Sequence, residues 1–294
     1  YEGNLISGNG TGADGMTPGA GITLTDSVDT IGIYGNIIGM NAAKTAALAN
    51  VAGGININSL TTDTTISIGS NTTNGRNYIS GNAQVNGSSG SAGILVGASN
   101  VAGVILNIVG NYIGTNGAGT AAIPNYNGGV NIADTSSRVT TTIGDGTTAG
   151  RNLISGNSGS GVVITGGNVT INNNLLGTAT DGTTALANSF AEIYGNNTIG
   201  TSNISYLKIS NNIINTLSSG VVGGAILMNI IPWNETNGSL TTDNTWTGRA
   251  TGSGQNYWWQ RYVGMTLTAY GPKACSDGKD NDNDKLVDFP TDPG

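Results

Sequence analysis

The hexapeptide Asn-Leu-Ile-Ser-Gly-Asn at Asn4–Asn9 constrains the fold more than any other feature of this 294-residue chain. It returns with Tyr in place of Leu at Asn77–Asn82, and unchanged at Asn152–Asn157, at intervals of 73 and 75 residues. Structural repeats of solenoid proteins are about 20–45 residues long, and each repeat packs on its neighbours. The interval is too long for one repeat, and its regularity predicts that it holds two solenoid coils.

Short apolar alternations come in sets of three along the chain. A Gly-led segment such as Gly53–Ile57 is followed by a second alternation such as Thr65–Gly69, and then by an Asn-led segment such as Asn77–Asn82. Alternation with period 2 places Ile, Val and Leu on one face of each strand. One coil cannot bury that face, whereas coils stacked at about 4.8 Å share a continuous interior. Five sets are clear, a sixth near residues 191–200 is degraded and a seventh lies in 205–231, which predicts about seven coils.

Stacked coils require equivalent residues to form files along the axis. The first inward residues of the Gly-led strands are expected to form one such file: Ile22, Ile55, Ile94, Val130 and Val162. The asparagines that open the third segments are expected to stack at a corner, where their amides form a hydrogen-bonded ladder; these are Asn36, Asn77, Asn111, Asn152 and Asn174. A ligand-binding role is the alternative for these asparagines.

The repeated order of "NLISGN", "GIxL" and "NxIG" segments over about residues 1–231 resembles that of right-handed parallel β-helix repeat proteins of bacterial cell surfaces. The resemblance implies an all-β fold, a right-handed parallel β-helix of three-stranded coils with a small aromatic-rich β segment at the C-terminal side. It specifies function weakly, because the same scaffold carries pectin-type lyases, glycoside hydrolases, phage tailspikes, adhesins and passive stalks.

Enzymes on this scaffold usually place carboxylates on outward positions of neighbouring coils. The outward residues of the first strands are predicted to be Thr23, Asn56, Leu95, Asn131, Val163 and Glu192, of which only the last is acidic. Asp26 and Asp134, one position further on, are three coils apart, roughly 14 Å at the strand spacing. We therefore expect no catalytic residues and no enzyme, and a polysaccharide lyase or hydrolase is the alternative.

Other polar residues of the coils have two interpretations. Asp14, Asp63, Asp145 and Asp181 lie in loops that are able to converge. Arg76 and Arg151 precede the corner asparagine of alternate coils, and we expect each guanidinium to cover a loop carbonyl rather than to hold a ligand.

Composition excludes several classes of site. Histidine is absent and Cys275 is the single cysteine, so a Cys/His zinc site, a Ser-His-Asp triad and a disulfide within this chain are excluded. The net charge is −7 and no basic patch stands out, so we expect no nucleic-acid partner. No apolar run of 18 residues predicts a membrane span in this segment.

Composition changes after residue 231. Residues 232–274 contain all four tryptophans, and large aromatic side chains are suited to covering the open end of a β-solenoid. We predict a cap or contact segment here, with a sugar-stacking platform or a subunit contact as the alternative. The candidate residues are Trp233, Trp246, Trp258, Trp259 and Tyr262.

Residues 275–294 form an acidic tail with alternating aspartates, and such hard oxygen ligands suit Ca²⁺. The tail resembles the acidic calcium loops of thrombospondin type-3 and dockerin-like repeats, and a "CSDGxDNDxD…VDxPxDPG" tail of bacterial secreted proteins. The resemblance implies a bound Ca²⁺ with the ligands Asp280, Asp282, Asp284, Asp288 and the carbonyl of Leu286, and Asp277 as a weaker candidate. Asn283 and Lys285 stand where such loops usually have glycine.

These features together predict a secreted, extracellular structural or adhesive β-solenoid of a prokaryotic cell surface. Its expected partners are other copies of itself or a surface glycan. The chain opens directly on a coil, so head-to-tail assembly into a fibre is a further hypothesis. The alternative is a polysaccharide-acting enzyme or a tailspike-like glycan-binding protein.

Overall fold

The computed structural model describes residues 3–10, 19–25, 29–83, 92–97, 103–134, 138–197, 204–215, 226–230, 244–247, 258–260 and 268–269. Within these ranges the regular structure consists of short strands and one turn of 3-10 helix at Thr73–Gly75. The strands form three sheets, which we number 1 to 3 in the order in which each coil crosses them.

The described strands of sheet 1 are Ile22–Leu24, Ile55–Ile57, Ile94–Val96, Val130–Ile132, Val162–Ile164, Ile193–Asn197, Ile226–Ile230, Trp258–Gln260 and Thr268–Ala269. Those of sheet 2 are Thr30–Ile33, Thr64–Ile68, Val104–Ile108, Val139–Ile143, Gly167–Asn172 and Ile204–Ser210. Those of sheet 3 are Leu5–Ile6, Ile37–Ile38, Tyr78–Ile79, Tyr112–Ile113, Leu153–Ile154, Leu175–Leu176, Ile213–Asn215 and Thr245–Thr247.

Each strand pairs in parallel with the equivalent strand one coil further along, apart from Thr268–Ala269, which pairs antiparallel. The chain is therefore a three-faced parallel β-helix of about seven coils, as the sequence predicts. Thr245–Thr247 and Trp258–Gln260 continue sheets 3 and 1 in parallel register. The division into units at 1–231, 232–274 and 275–294 stays a prediction.

The core is the shared interior of the stacked coils. The predicted axial file is confirmed, because the pairing runs in register from Ile22 through Ile55, Ile94 and Val130 to Val162. From Ile55 onward these side chains are fully buried. Equivalent side chains of successive coils thus stack on one another, and most of the apolar face leaves water, whereas Ile22, Leu24 and Ile31 of the first coil stay partly exposed.

A ladder of asparagine amides runs along the corner between sheets 2 and 3, and we call it the first ladder. Each Nδ2 group donates to the Oδ1 atom of the next coil's asparagine at 2.9–3.2 Å, and the backbone N–H donates to the same oxygen. The second proton of Nδ2 goes to a strand carbonyl, as from Asn111 to Ile68 at 2.8 Å. The predicted members are confirmed, and the full ladder is Asn4, Asn36, Asn77, Asn111, Asn152, Asn174, Asn212 and Asn244.

Three hairpin-like loops explain why the hexapeptide marks every second coil. Residues 40–48, 115–123 and 178–186 leave sheet 3 in alternate coils, and each is closed by an antiparallel bridge. The coils between them carry the hexapeptide, whose glycine N–H donates to the loop of a neighbouring coil, as from Gly81 to Ile123 at 3.0 Å. A Cβ at Gly81 would lie 2.6 Å from the Gly39 carbonyl oxygen, and the φ of Gly81 is +75°, so the loop leaves room only for glycine.

Candidate functional site

The outward face of sheet 1 carries little chemistry. Thr23, Asn56, Leu95, Asn131 and Val163 form one file, as predicted. The next member of that file is Tyr194, because Ile193 pairs with Val162 and Tyr194 with Val163. The prediction for Glu192 was therefore wrong. Ala191-Glu192-Ile193 resembles an in-out-in alternation, but the strand starts at Ile193, and Glu192 lies just before it with no exposed surface.

Glu192 ends a second asparagine ladder, which the sequence analysis missed. This second ladder follows the corner between sheets 3 and 1, with Nδ2 to Oδ1 distances of 2.8–3.0 Å between successive asparagines. Its last amide, Asn188, donates through both Nδ2 and the backbone N–H to the carboxylate of Glu192. The asparagines of the second ladder are Asn9, Asn50, Asn82, Asn125, Asn157 and Asn188.

The Glu192 carboxylate occupies the place of a ladder asparagine. A Cβ built on Gly39 or Gly114 would lie 2.2 or 2.4 Å from the Oδ1 atom of Asn82 or Asn157, and one built on Gly177 would lie 2.2 Å from Oε1 of Glu192. Burial raises the pKa of Glu192 to about 8, and the hydrogen bonds from Asn188 oppose this rise only in part.

The loop aspartates that the structure describes bond to backbone N–H groups, either of their own turn or of the next coil. Asp63 accepts the backbone N–H of Gly103 at 2.8 Å, and Asp145 accepts the N–H and hydroxyl of Thr147. Asp181 accepts the N–H groups of Thr183 and Thr184 and the Thr184 hydroxyl, and these bonds lower the pKa of Asp181 to about 2. Asp145 and Asp181 thus stabilise turns, whereas Asp63 joins one coil to the next.

Asp134 is a further acid of the predicted set, and it is fully buried, where it accepts the Val139 N–H at 3.1 Å. Asp14 and Asp26 lie outside the described residues. Among the residues that the structure describes, no three His, Cys, Asp or Glu side chains come together as a set of metal ligands.

The two arginines cover carbonyls, which confirms their predicted role. Nε of Arg76 donates to the Gly110 carbonyl at 3.1 Å, and Nε of Arg151 donates to the Asn173 carbonyl at 3.3 Å. The Arg76 guanidinium also lies over the ring of Tyr112, 4.2 Å from its centroid. Both arginines fasten one coil to the next.

The hairpin-like loops cover the outward side of sheet 3. Lys44 Nζ lies 4.3 Å from the ring centroid of Tyr78, and a Cβ on Gly119 would lie 2.6 Å from Leu153 Cδ2. Leu153 and Leu175 point outward from their strands, yet their side chains are 1% and 6% exposed. This face is therefore a second, smaller apolar contact rather than an open surface.

Some predicted contact residues lie on strands that continue the sheets. Trp246 lies on Thr245–Thr247 opposite Ile214, and Trp258 and Trp259 lie opposite Ile226 and Leu227. Trp233 and Tyr262 lie outside the described residues, and the cap or contact role of all five stays a prediction.

The predicted calcium ligands of the tail also lie outside the described residues, and their role stays a prediction. They are Asp280, Asp282, Asp284, Leu286 and Asp288.

Comparison with known proteins defines no relative: no protein-family model matches the chain, and neither do the curated proteins or the solved structures that were searched. In the described part of the chain, no helix has the length and apolar character that a bilayer crossing needs. The fold alone defines the class, which is that of β-solenoid repeat proteins.

Proposed function

We propose that this chain is a structural or adhesive rod, a secreted β-solenoid of a prokaryotic cell surface. The observation that carries the proposal is where its polar groups bond. Both ladders, the arginines and the loop aspartates named above bond to other coils or to their own turns. Groups engaged in this way hold coils together and are poorly placed to act on a substrate.

The two buried ladders favour a stiff rod. A buried amide that loses its partner costs about 1–3 kcal/mol, so each ladder amide disfavours separation of the coils on either side. Two ladders on different corners resist bending of one coil against the next in more than one direction. Such stiffness suits a spacer that carries load or holds other groups away from a surface.

Self-association belongs to the same proposal, because the last strands of a solenoid present unpaired backbone groups that can pair with another chain. Negative-stain electron microscopy at high protein concentration tests it. We expect rods joined end to end, with a rise of about 34 Å for seven coils at the strand spacing. Dispersed single particles at every concentration would contradict this assembly.

A depolymerisation assay separates the rod from the polysaccharide-acting alternative. The chain is incubated with a panel of neutral and acidic polysaccharides, and new reducing ends and unsaturated products are measured. We expect none, whereas release of either product would overturn the structural function. A glycan array then distinguishes a passive rod from an adhesive one.

Calcium binding by the tail is part of the proposal, since hard carboxylate ligands at alternating positions suit this ion. Isothermal titration with CaCl₂ is expected to give a heat of binding that the double variant Asp282→Asn/Asp284→Asn lacks. The matched control is Asp145→Asn, which changes a turn aspartate away from the tail. Equal heats in the double variant and the parent would contradict the site.

A further inference from the structure

The second ladder has a direction, and a directed ladder needs an acceptor at its end. Every asparagine in it donates one Nδ2 proton forward to the next member, and most donate the backbone N–H to the same oxygen, so Asn188 must find an oxygen beyond itself. Asn157, a ladder member, stands three residues after Ile154. Ile214 is the equivalent of Ile154 two coils further on, because both pair with Leu176, and the residue three positions after Ile214 is Leu217. Leucine offers no acceptor, and Glu192 supplies one from the start of the next coil.

In the described part of the chain, no cationic side chain pairs with the Glu192 carboxylate. The described groups beside it are the amide of Asn188 and the backbone of Gly177, and Glu192 is fully buried. The ionisable side chains of residues 187–230 other than Glu192 are Tyr194, Tyr206 and Lys208. They occupy positions that pair with Val163, Asn168 and Thr170, which face outward on the preceding strands.

A carboxylate without a counterion is costly in such a place, whereas a neutral carboxyl costs much less. The neutral form still accepts the Asn188 amide and gains one O–H donor. In the charged form both carboxylate oxygens still accept hydrogen bonds from Asn188, but the charge is buried away from water. Opening of the structure lets water solvate the charge and so lowers its cost. The rise in the pKa of Glu192 to about 8 agrees with this preference.

We propose that Glu192 makes the junction between the fifth and sixth coils sensitive to pH. The neutral carboxyl closes the second ladder and holds the following coils in place. Ionisation weakens that junction, and the strands from Ile193 onward, beginning with the pairing of Ile193–Asn197 on Val162–Ile164 and including Ile226–Ile230, loosen first. The earlier coils contain no such group in their second ladder and stay unchanged.

Tryptophan fluorescence tests the proposal, because all four tryptophans follow Glu192 in the chain. The measurement uses the Cys275→Ser variant, since a thiol titrates in the same range as the expected transition. We expect the emission to shift with a midpoint near pH 8, and we expect no shift when Glu192→Gln is added. The matched control Asp181→Asn, an exposed acid of low pKa, is expected to keep the shift.

A constant emission between pH 6 and 9.5, or a transition that persists in the Glu192→Gln protein, would overturn the proposal. A second measurement on the unmodified chain covers a variant that fails to fold. Backbone hydrogen exchange, corrected for intrinsic rates, is followed in Ile226–Ile230 and in Ile94–Val96 at pH 6 and pH 9. We expect protection to fall at pH 9 only in Ile226–Ile230, and an equal change in both strands would also refute the proposal.

Discussion

The two asparagine ladders use the same residue in the same geometry, yet they differ in where their members come from and how they end. The first ladder places its asparagine directly before each strand of sheet 3 and continues to Asn244. The second takes its asparagine alternately from the end of a hexapeptide, as at Asn82, and from the end of a loop, as at Asn125. It ends on the carboxylate of Glu192. Each asparagine of a ladder therefore bonds to the next one. Only the last member needs an acceptor that the ladder itself does not supply.

The largest effect is expected when either ladder is broken in its middle. Asn111→Ala and Asn125→Ala each remove the acceptor for the backbone N–H and one Nδ2 proton of the preceding ladder asparagine. That asparagine is Asn77 in the first ladder and Asn82 in the second. We expect each variant to lower the free energy of unfolding by roughly 3 kcal/mol or more. Urea unfolding measures this.

The control for both is Asn107→Ala, which changes a partly exposed outward residue and should alter stability by less than about 0.5 kcal/mol. A much smaller cost at Asn125 than at Asn111 would show that the ladders are not equivalent.

The next effect concerns the end of the second ladder. The pKa of Glu192 is about 8 in the folded chain, against an ordinary 4.5, so the folded state holds a proton that the unfolded state has released. Its contribution to stability is complete below pH 4.5 and is lost as the pH rises to about 8. At about 1.4 kcal/mol per pH unit this amounts to a few kcal/mol.

Glu192→Gln removes this dependence, so we expect the variant to unfold at a higher temperature than the parent at pH 9 and to lose that advantage near pH 4.5. Thermal unfolding at a series of pH values measures the difference. Parallel pH profiles for the two proteins would contradict the role assigned to the carboxyl.

Two glycines of the hexapeptide test how closely the alternating loops pack against it. These loops supply every second asparagine of the second ladder. Gly8 and Gly81 have nearly equal φ angles of +78° and +75°. A Cβ on Gly8 would lie 3.9 Å from Leu48, whereas one on Gly81 would lie 2.6 Å from the Gly39 oxygen. We expect Gly8→Ala to cost about 1 kcal/mol, for the left-handed backbone alone.

For Gly81→Ala we expect about 3 kcal/mol, because the steric clash adds to the backbone cost. Chemical denaturation of the two variants gives the comparison directly. Equal losses would mean that the loop does not press on the hexapeptide.

The smallest effect is a gain in stability. The Thr141 side chain lies between Leu106 and Val169 in the core and is 1% exposed, and its hydroxyl has no hydrogen-bond partner. Thr141→Val keeps the shape and removes the unpaired group, so we expect stabilisation by about 1 kcal/mol. Thr142→Val, on the outward side of the same strand, is the control and should be neutral. A loss of stability in Thr141→Val would show that the hydroxyl is bonded in solution.

The sequence allows the axial files and the first ladder to be predicted because both depend on a short local pattern. The residues equivalent to Ile55 and to Asn77 keep the same position within their segments from coil to coil. The second ladder has no such constancy. Asn82 follows Ile79 by three residues, whereas Asn50 follows Ile38 by twelve, and only the folded loops bring the two amides together.

Glu192 was misplaced for a related reason. The alternation around it fits two registers, and the inward position that Ile164 fills in the preceding coil is taken by Gly195. Without an apolar residue there, the sequence gives no signal for the correct choice. The interpretation of the arginines held because a guanidinium beside a corner meets a carbonyl of the next coil wherever the coils stack.

The exchange rates of the asparagine side-chain amides test the central claim most directly, namely that two buried ladders hold the stacked coils together. Nuclear magnetic resonance of the labelled chain resolves these protons. The Nδ2 protons of ladder members such as Asn111 and Asn125 should exchange as slowly as the strand backbones beside them. Those of the exposed Asn71 should exchange at the rate of a free amide. Rapid exchange at Asn111 and Asn125 would contradict the account.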